Sequence, residues 1–188
     1  MEKKVAVFLD YANVDASLHC LGHQLDPGEL LHYLADEAEG RSLMSAFAYV
    51  PIDPRREHAQ DETISELWQS GYIVKSKIGT IAGDSYKCNL DVEMAMDITR
   101  VAYESRPDIV VLVSGDNDFL PIVLDLRGKG IRVEVAAFNV ALSSQLASRS
   151  SGSILLDALL PVEESANPNT QEENHSEQER AIVELDNE

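Results

Sequence analysis

Cysteine is scarce in this chain. The two that occur, Cys20 and Cys88, lie far apart and form no C-x-x-C pair, which argues against a disulfide framework and against a zinc ribbon. Reduced thiols in a cytoplasmic protein are expected. Long apolar runs are missing as well: after Met1-Glu2-Lys3-Lys4 only five apolar residues precede Asp10, too few for a signal peptide or a membrane-spanning helix. No membrane association is expected. Positive charge is also in short supply. Of 33 acidic and 15 basic residues, nine and one fall in residues 161–188, leaving 24 and 14 in residues 1–160, a net of −10 there against −18 overall. Such a balance counts against a non-specific, high-affinity nucleic-acid binder but leaves room for a local basic patch.

What remains is a chain of 188 residues with 44% hydrophobic content, enough for one well-packed domain. Residues 1–160 are read as that domain, free of internal repeats and low-complexity segments. Residues 161–188 are polar, acidic and poor in large apolar side chains, so they bury too little to offset ordering entropy and are expected to form a disordered tail. The short run Ala181-Ile182-Val183-Glu184-Leu185 offers a docking segment for a protein partner, against the plainer reading of a flexible end.

Within residues 1–160, apolar runs of strand length alternate with segments of helical period. The runs are Val5 to Leu9, Leu43 to Val50, Tyr72 to Ile78, Ile109 to Val113 and Ile131 to Phe138. Alternation of this kind predicts an α/β fold with a mostly parallel sheet covered by helices, in the order β-α-α-β-α-β-α-β-α-β-α. In Asp26-Pro27-Gly28-Glu29, Asp26 caps, Pro27 suits the first helical position and Glu29 completes a capping box. Asp53-Pro54 repeats the pattern and predicts a helix from there through Trp68, stopped by Gly71.

In open parallel sheets ligands gather beyond the carboxyl ends of the strands. Val7-Phe8-Leu9-Asp10-Tyr11-Ala12-Asn13 delivers Asp10 to such a position with Asn13 three residues on. Val111-Leu112-Val113-Ser114-Gly115-Asp116-Asn117-Asp118-Phe119 does the same with Ser114, Asp116 and Asp118. A third segment, Lys87-Cys88-Asn89-Leu90-Asp91, lets Asn89 cap a helix whose first turn carries Asp91. Singly, each aspartate has an ordinary explanation as a helix cap. Together they are more telling, because crowded carboxylates repel one another and a divalent cation relieves the repulsion. Hard oxygen ligands with room for water suit Mg²⁺ or Mn²⁺, which activates water or steadies a leaving oxygen in phosphodiester cleavage. Asp10, Asp91 and Asp116 are the expected metal ligands, with Asp118 either a fourth catalytic carboxylate or the cap of the following helix. Asp97 lies about 120° around the helix from Asp91 and is expected to be a supporting residue. Glu93 falls on another face and is expected to be solvated. Asn13 supplies a neutral oxygen or fixes the turn, and Ser114 is a candidate for phosphate or water contacts.

The phrases Phe8-Leu9-Asp10-Tyr11-Ala12-Asn13, Lys87-Cys88-Asn89-Leu90-Asp91-Val92 and Ser114-Gly115-Asp116-Asn117-Asp118-Phe119 occur in the order seen in NYN domains. The chain resembles the LabA-like branch of these PIN-like nucleases from about Lys4 to Leu160, departing from the pattern where a glycine is expected between Lys87 and Asp91. The resemblance implies a PIN-like three-layer α/β/α fold, RNA cleavage as a metal-dependent ribonuclease, and RNA as the partner. It carries the site assignment to Asp10, Asn13, Asp91, Asp116 and Asp118, with Asp97 as an addition, and it allows a homodimer without locating an interface.

Other features carry less. Lys75, Lys77 and Lys87, with Arg55, Arg56 and His58, are either a phosphate-holding edge or solvated surface charges. Tyr11 and Tyr86 either stack on bases or pack. His19, Cys20 and His23 have zinc-like spacing, interrupted by Gly22 and without an evident fourth ligand. Gly79 to Asp84 lacks the Gly-Lys-Ser/Thr ending of a Walker loop and is expected to be a flexible loop or lid. Two competing functions remain: a haloacid-dehalogenase-like phosphatase, which needs a second aspartate where Ala12 stands, and a regulatory RNA- or protein-binding module that keeps the acidic pocket without turnover.

Overall fold

The computed structural model describes residues 2–161. The expected acidic tail therefore lies, apart from Pro161, outside the described residues. Strands β1 (Lys3–Asp10), β2 (Arg41–Ile52), β3 (Ile73–Ile78), β6 (Ile109–Val113), β7 (Arg132–Ala137) and β8 (Gly152–Leu155) form one sheet in the order β3-β2-β1-β6-β7-β8. A separate hairpin pairs β4 (Thr80–Ala82) with β5 (Ser85–Lys87). Every pairing in the six-stranded sheet is parallel, in keeping with the apolar strands β1 and β6, buried on both faces, at its centre.

The two faces are read directly from the alternation in β1. Val5, Val7 and Leu9 belong to a core that takes in Leu30, Leu31 and Leu34 of α2 (Pro27–Leu34) and Leu67 of α3 (Asp61–Gln69). Val14 of α1 (Tyr11–Leu21) completes that layer. Ala6 and Phe8 point the other way, into a core with Met94, Ile98 and Val101 of α4 (Asp91–Glu104), Val123 and Leu126 of α5 (Leu120–Gly128) and Leu146 of α6 (Ser144–Arg149). The result is the expected three-layer arrangement. Each fully buried Leu or Phe in these cores contributes about 1.5–3 kcal/mol of burial free energy.

The chain order reverses at β1: β2 and β3 extend the sheet to one side, and β6, β7 and β8 to the other. The crevice between the ends of β1 and β6 is thus the topological switch point, where parallel sheets bind ligands. Three features differ from expectation. The helix expected from Asp53-Pro54 begins only at Asp61, because the Asp53 carboxylate accepts hydrogen bonds from Arg55 N, Nε and Nη2 at 3.0, 2.9 and 2.7 Å and closes a turn instead. The expected loop at Gly79 to Asp84 is the β4–β5 hairpin, turned by Gly83 at φ 62°. β8 is an additional short strand at the sheet edge.

Candidate metal centre

Asp10 ends β1 and caps α1, its Oδ1 accepting from Asn13 N at 3.3 Å. On the other side of the switch point, Ser114 follows β6 and is fully buried. Its Oγ donates to Asp10 Oδ2 at 2.9 Å and accepts from Asp116 N at 3.1 Å. A second link crosses the same seam: Gly115 N donates to Asn13 Oδ1 at 3.0 Å. Asn13 therefore fixes the turn of the opposing loop. Only glycine fits at 115, since a Cβ there would stand 2.1 Å from the Ala141 carbonyl oxygen.

Asp116 caps the 3-10 turn Asn117–Phe119, its Oδ1 accepting from Asp118 N at 2.9 Å. This leaves Asp118 out of the capping role and turns its carboxylate toward α4. There Asn89 Oδ1 accepts from Asp91 N at 2.8 Å while its Nδ2 donates to Asp91 Oδ2 at 2.7 Å, which orients Asp91 in the first turn. One carboxylate oxygen from each of Asp91, Asp116 and Asp118 lies within 4.8 Å of the other two, the single such His, Cys, Asp or Glu group among the described residues. Asp10 lines a pocket of about 300 Å³ with Asn13, Tyr49, Asn89, Asp91 and Asp116. Burial, reinforced by Asp91 and Asp116, raises the Asp10 pKa above the usual carboxylate value despite the hydrogen bonds from Ser114 and Asn13. Asp91 is raised likewise, first by burial and then by the charges of Asp116, Asp118 and Glu93, which outweigh the Asn89 hydrogen bond. Hard oxygen donors gathered this closely, with Asp91 among them and Asp10 beside them penalised for their own charge, form a donor set suited to a divalent cation.

The remaining expected residues sit around this centre. Asp97, 4% exposed, accepts from Tyr49 Oη at 2.8 Å and is bridged by Lys75 and Arg100. Burial pushes its pKa up, but the bonds from Lys75 and Tyr49 and the charges of Lys75 and Arg100 win and hold it below the usual value. Asp97 thus pins α4 to β2 and β3 and stands apart from the three gathered carboxylates. Glu93 pairs with Lys77 Nζ at 2.5 Å. Lys87 is exposed at the end of β5, beside the loop that leads into α4. Tyr11 donates to Asp15 at 3.1 Å. Both cysteines are free, and His19, Cys20 and His23 belong to no three-residue ligand cluster among the described residues. Tyr49 was not foreseen. Its signal was a tyrosine within an apolar strand, whose hydroxyl must find a partner when buried.

Strand order and the helices on both faces define a doubly wound three-layer α/β/α protein with an acidic switch point, an arrangement consistent with a PIN-like fold. The NYN domain family model matches residues 4–157, and the chain belongs to that family. It is 27% identical over 151 residues to the low amplitude and bright protein LabA of Synechococcus elongatus, covering 76% of this chain and 78% of that one. An uncharacterized protein of Methanocaldococcus jannaschii is 27% identical over 108 residues, 56% of this chain and 41% of its own. The crystal structure of a protein of unknown function from Vibrio parahaemolyticus superposes with a TM-score of 0.70 at 24% identity, over 83% of this chain and 94% of that one, and shares the fold.

Proposed function

We propose that this NYN domain is a metal-dependent ribonuclease. The convergence of Asp91, Asp116 and Asp118 at the sheet's switch point carries the reading. These three carboxylates, with Asp10, which stands outside the group but lines a pocket with Asp91 and Asp116, are the groups that would hold Mg²⁺ or Mn²⁺. Such a cation, when bound, supplies Lewis-acid polarisation of a phosphoryl oxygen and a water acidic enough to attack near neutral pH. The protein's own part is positional. Ser114 fixes the rotamer of Asp10, Asn89 fixes Asp91, and the Asn13–Gly115 bond holds the two strand ends together. Asp97 keeps α4 at its depth on the sheet, and Lys87, exposed at the end of β5, would meet a phosphate approaching from the hairpin side.

No helix among the described residues is long and apolar enough to cross a membrane, and the free thiols suit the reducing cytoplasm. The deciding experiment is cleavage of end-labelled single-stranded and hairpin RNA by wild type and Asp10→Asn with Mn²⁺, Mg²⁺ or EDTA. Metal-dependent cutting that disappears in the variant is expected. A folded wild type that cuts nothing with either metal would overturn the reading in favour of a regulatory RNA- or protein-binding module.

A further inference from the structure

Helix α4 leaves the carboxylate centre carrying a stripe that its own core does not use. Val92, Met96 and Arg100 recur every four residues and so share one face. Val92 and Met96 are each 67% exposed, an unusual placement for two large apolar neighbours on a helix that buries Met94, Ile98 and Val101 on its other side. Single exposed apolar residues are ordinary, but contiguous ones call for an explanation. These two form one wall of a groove of about 880 Å³ whose opposite wall is Pro121 and Ile122 of α5 and whose inner end is Asp91 and Asp118. Lys77, Glu93 and Met96 also line a second cleft of about 810 Å³ on the β3 flank of α4, with Lys75, Asp97 and Arg100.

Beyond Asp91 and Asp118 the charge on this face turns positive. Glu93 at the junction is neutralised by Lys77 at 2.5 Å. Lys75 and Arg100 both lean on the single carboxylate of Asp97, so one unit of positive charge stays uncompensated, with the Arg100 side chain 53% exposed. A path that begins at phosphodiester chemistry, continues over an apolar floor and ends at surplus positive charge matches a nucleic-acid strand with its bases unpaired. Sequence-tolerant single-strand binding combines a platform for the bases, most often aromatic, with cations that track the backbone; here the platform is aliphatic.

We propose that the α4 face formed by Val92, Met96 and Arg100, together with Pro121 and Ile122, is the track along which single-stranded RNA leaves the carboxylate centre. A base lies on Met96 and Val92, and the following phosphate meets Arg100. The inference rests on the reading of the carboxylate centre as an RNA-cleaving site, and it specifies that the substrate is single-stranded beside the scissile bond.

The test is fluorescence anisotropy of a short fluorescein-labelled single-stranded RNA with the full chain in EDTA, so that binding is read without cutting. Wild type is compared with Met96→Glu, Arg100→Gln and, as a control at the opposite end of β1, Lys3→Gln, all checked for native circular dichroism. Met96→Glu, which removes the apolar contact and adds a negative charge, is expected to weaken binding at least about fivefold, the low end of what a lost base contact costs at an aromatic platform. Arg100→Gln is expected to weaken binding and to lower the slope of log affinity against log salt by about 0.7. Lys3→Gln is expected to bind as wild type does. Undiminished binding by both α4 variants overturns the track, as does a wild type that binds no RNA, which would hand the face to a protein partner. Cleavage assayed separately keeps the two readings apart. Wild-type binding that needs Met96 and Arg100, without any cutting, supports the track and removes the nuclease. Cutting by α4 variants that bind like wild type keeps the nuclease and removes the track.

Discussion

Ser114 Oγ lies 2.9 Å from Asp10 Oδ2, joining residues 104 positions apart in the chain. The same hydroxyl receives Asp116 N, so one buried serine orients two carboxyl-bearing loops. Groups that orient ligands from behind typically control 10–100-fold in metal affinity. Ser114→Ala is therefore expected to weaken Mn²⁺ binding by about 10-fold or more while retaining native circular dichroism. Titration calorimetry checks this, and an unchanged Mn²⁺ affinity would remove Ser114 from the site.

Asp91 is expected to trade stability for binding. Its folded-state pKa is raised, by burial first and by neighbouring acids second. At neutral pH the ionised group is therefore worse off folded than unfolded, a penalty that fades as pH falls through the raised value. Asp91→Asn sheds the penalty at every pH. The metal-free variant should melt at or above the wild-type Tm at pH 7, whereas added Mn²⁺ should raise Tm in wild type only. Scanning calorimetry of both proteins with and without Mn²⁺ decides it, and a Tm gain from Mn²⁺ in the variant would refute the assignment.

Glu134 sets an acid limit to stability. It is 2% exposed and accepts from Arg41 Nη1 at 2.9 Å and Arg132 Nε at 2.8 Å. Burial pushes its pKa up, but the two guanidinium groups outweigh burial and hold it below the usual glutamate value. The stabilisation is complete above the unfolded value of about 4.3 and is lost as pH falls through the lower folded value. Glu134→Gln should cost about 3 kcal/mol near neutral pH, toward the lower end for a broken buried pair because Arg132 is partly solvated. It should also flatten the loss of stability below about pH 4. Urea unfolding across pH measures both effects.

Gly115→Ala is expected to damage fold and site together. The added Cβ meets the Ala141 carbonyl oxygen at 2.1 Å, a backbone atom that cannot rotate away. Overpacking of this kind costs about 1–3 kcal/mol. Any shift of the loop also breaks the Gly115–Asn13 bond. Denaturant titration and Mn²⁺ affinity should fall in parallel, and a neutral result in both would contradict the close approach.

Much of this was legible in the sequence because the relevant signals are local. Five apolar runs gave five strands; β1 and β6 are buried on both faces and need no alternation to be noticed. Asp26-Pro27 started α2 as expected, Asp26 accepting from Glu29 N at 2.9 Å. The strand-end aspartates stood out because an acid that ends an apolar run leaves the sheet at a known edge. What local pattern could not supply was competition between partners. Asp53 carried the same cap signal as Asp26, yet Arg55 two residues later took its carboxylate. The Gly83-Asp84 pair between Ile81-Ala82 and Ser85-Tyr86 was a hairpin signal hidden by the polar look of the segment. The division of labour among Asp91, Asp97 and Asp118 depended on Tyr49, Lys75 and Asp116, contacts set by strand order.

The first strand of the chain is also the middle of the sheet: β1 pairs with β2 on one side and β6 on the other, in register from Val5↔Ile109 to Leu9↔Val113. During synthesis β1 emerges from the ribosome long before β6 exists, and contacts so distant in sequence form slowly. Asp10 leaves the ribosome first, yet Ser114, Asp116 and Asp118 cannot join it until more than a hundred further residues have been made. A nascent or truncated chain that stops short of β6 thus carries Asp10 and Asp91 without their partners, and the site comes into being only once β6 and the loop after it have joined β1.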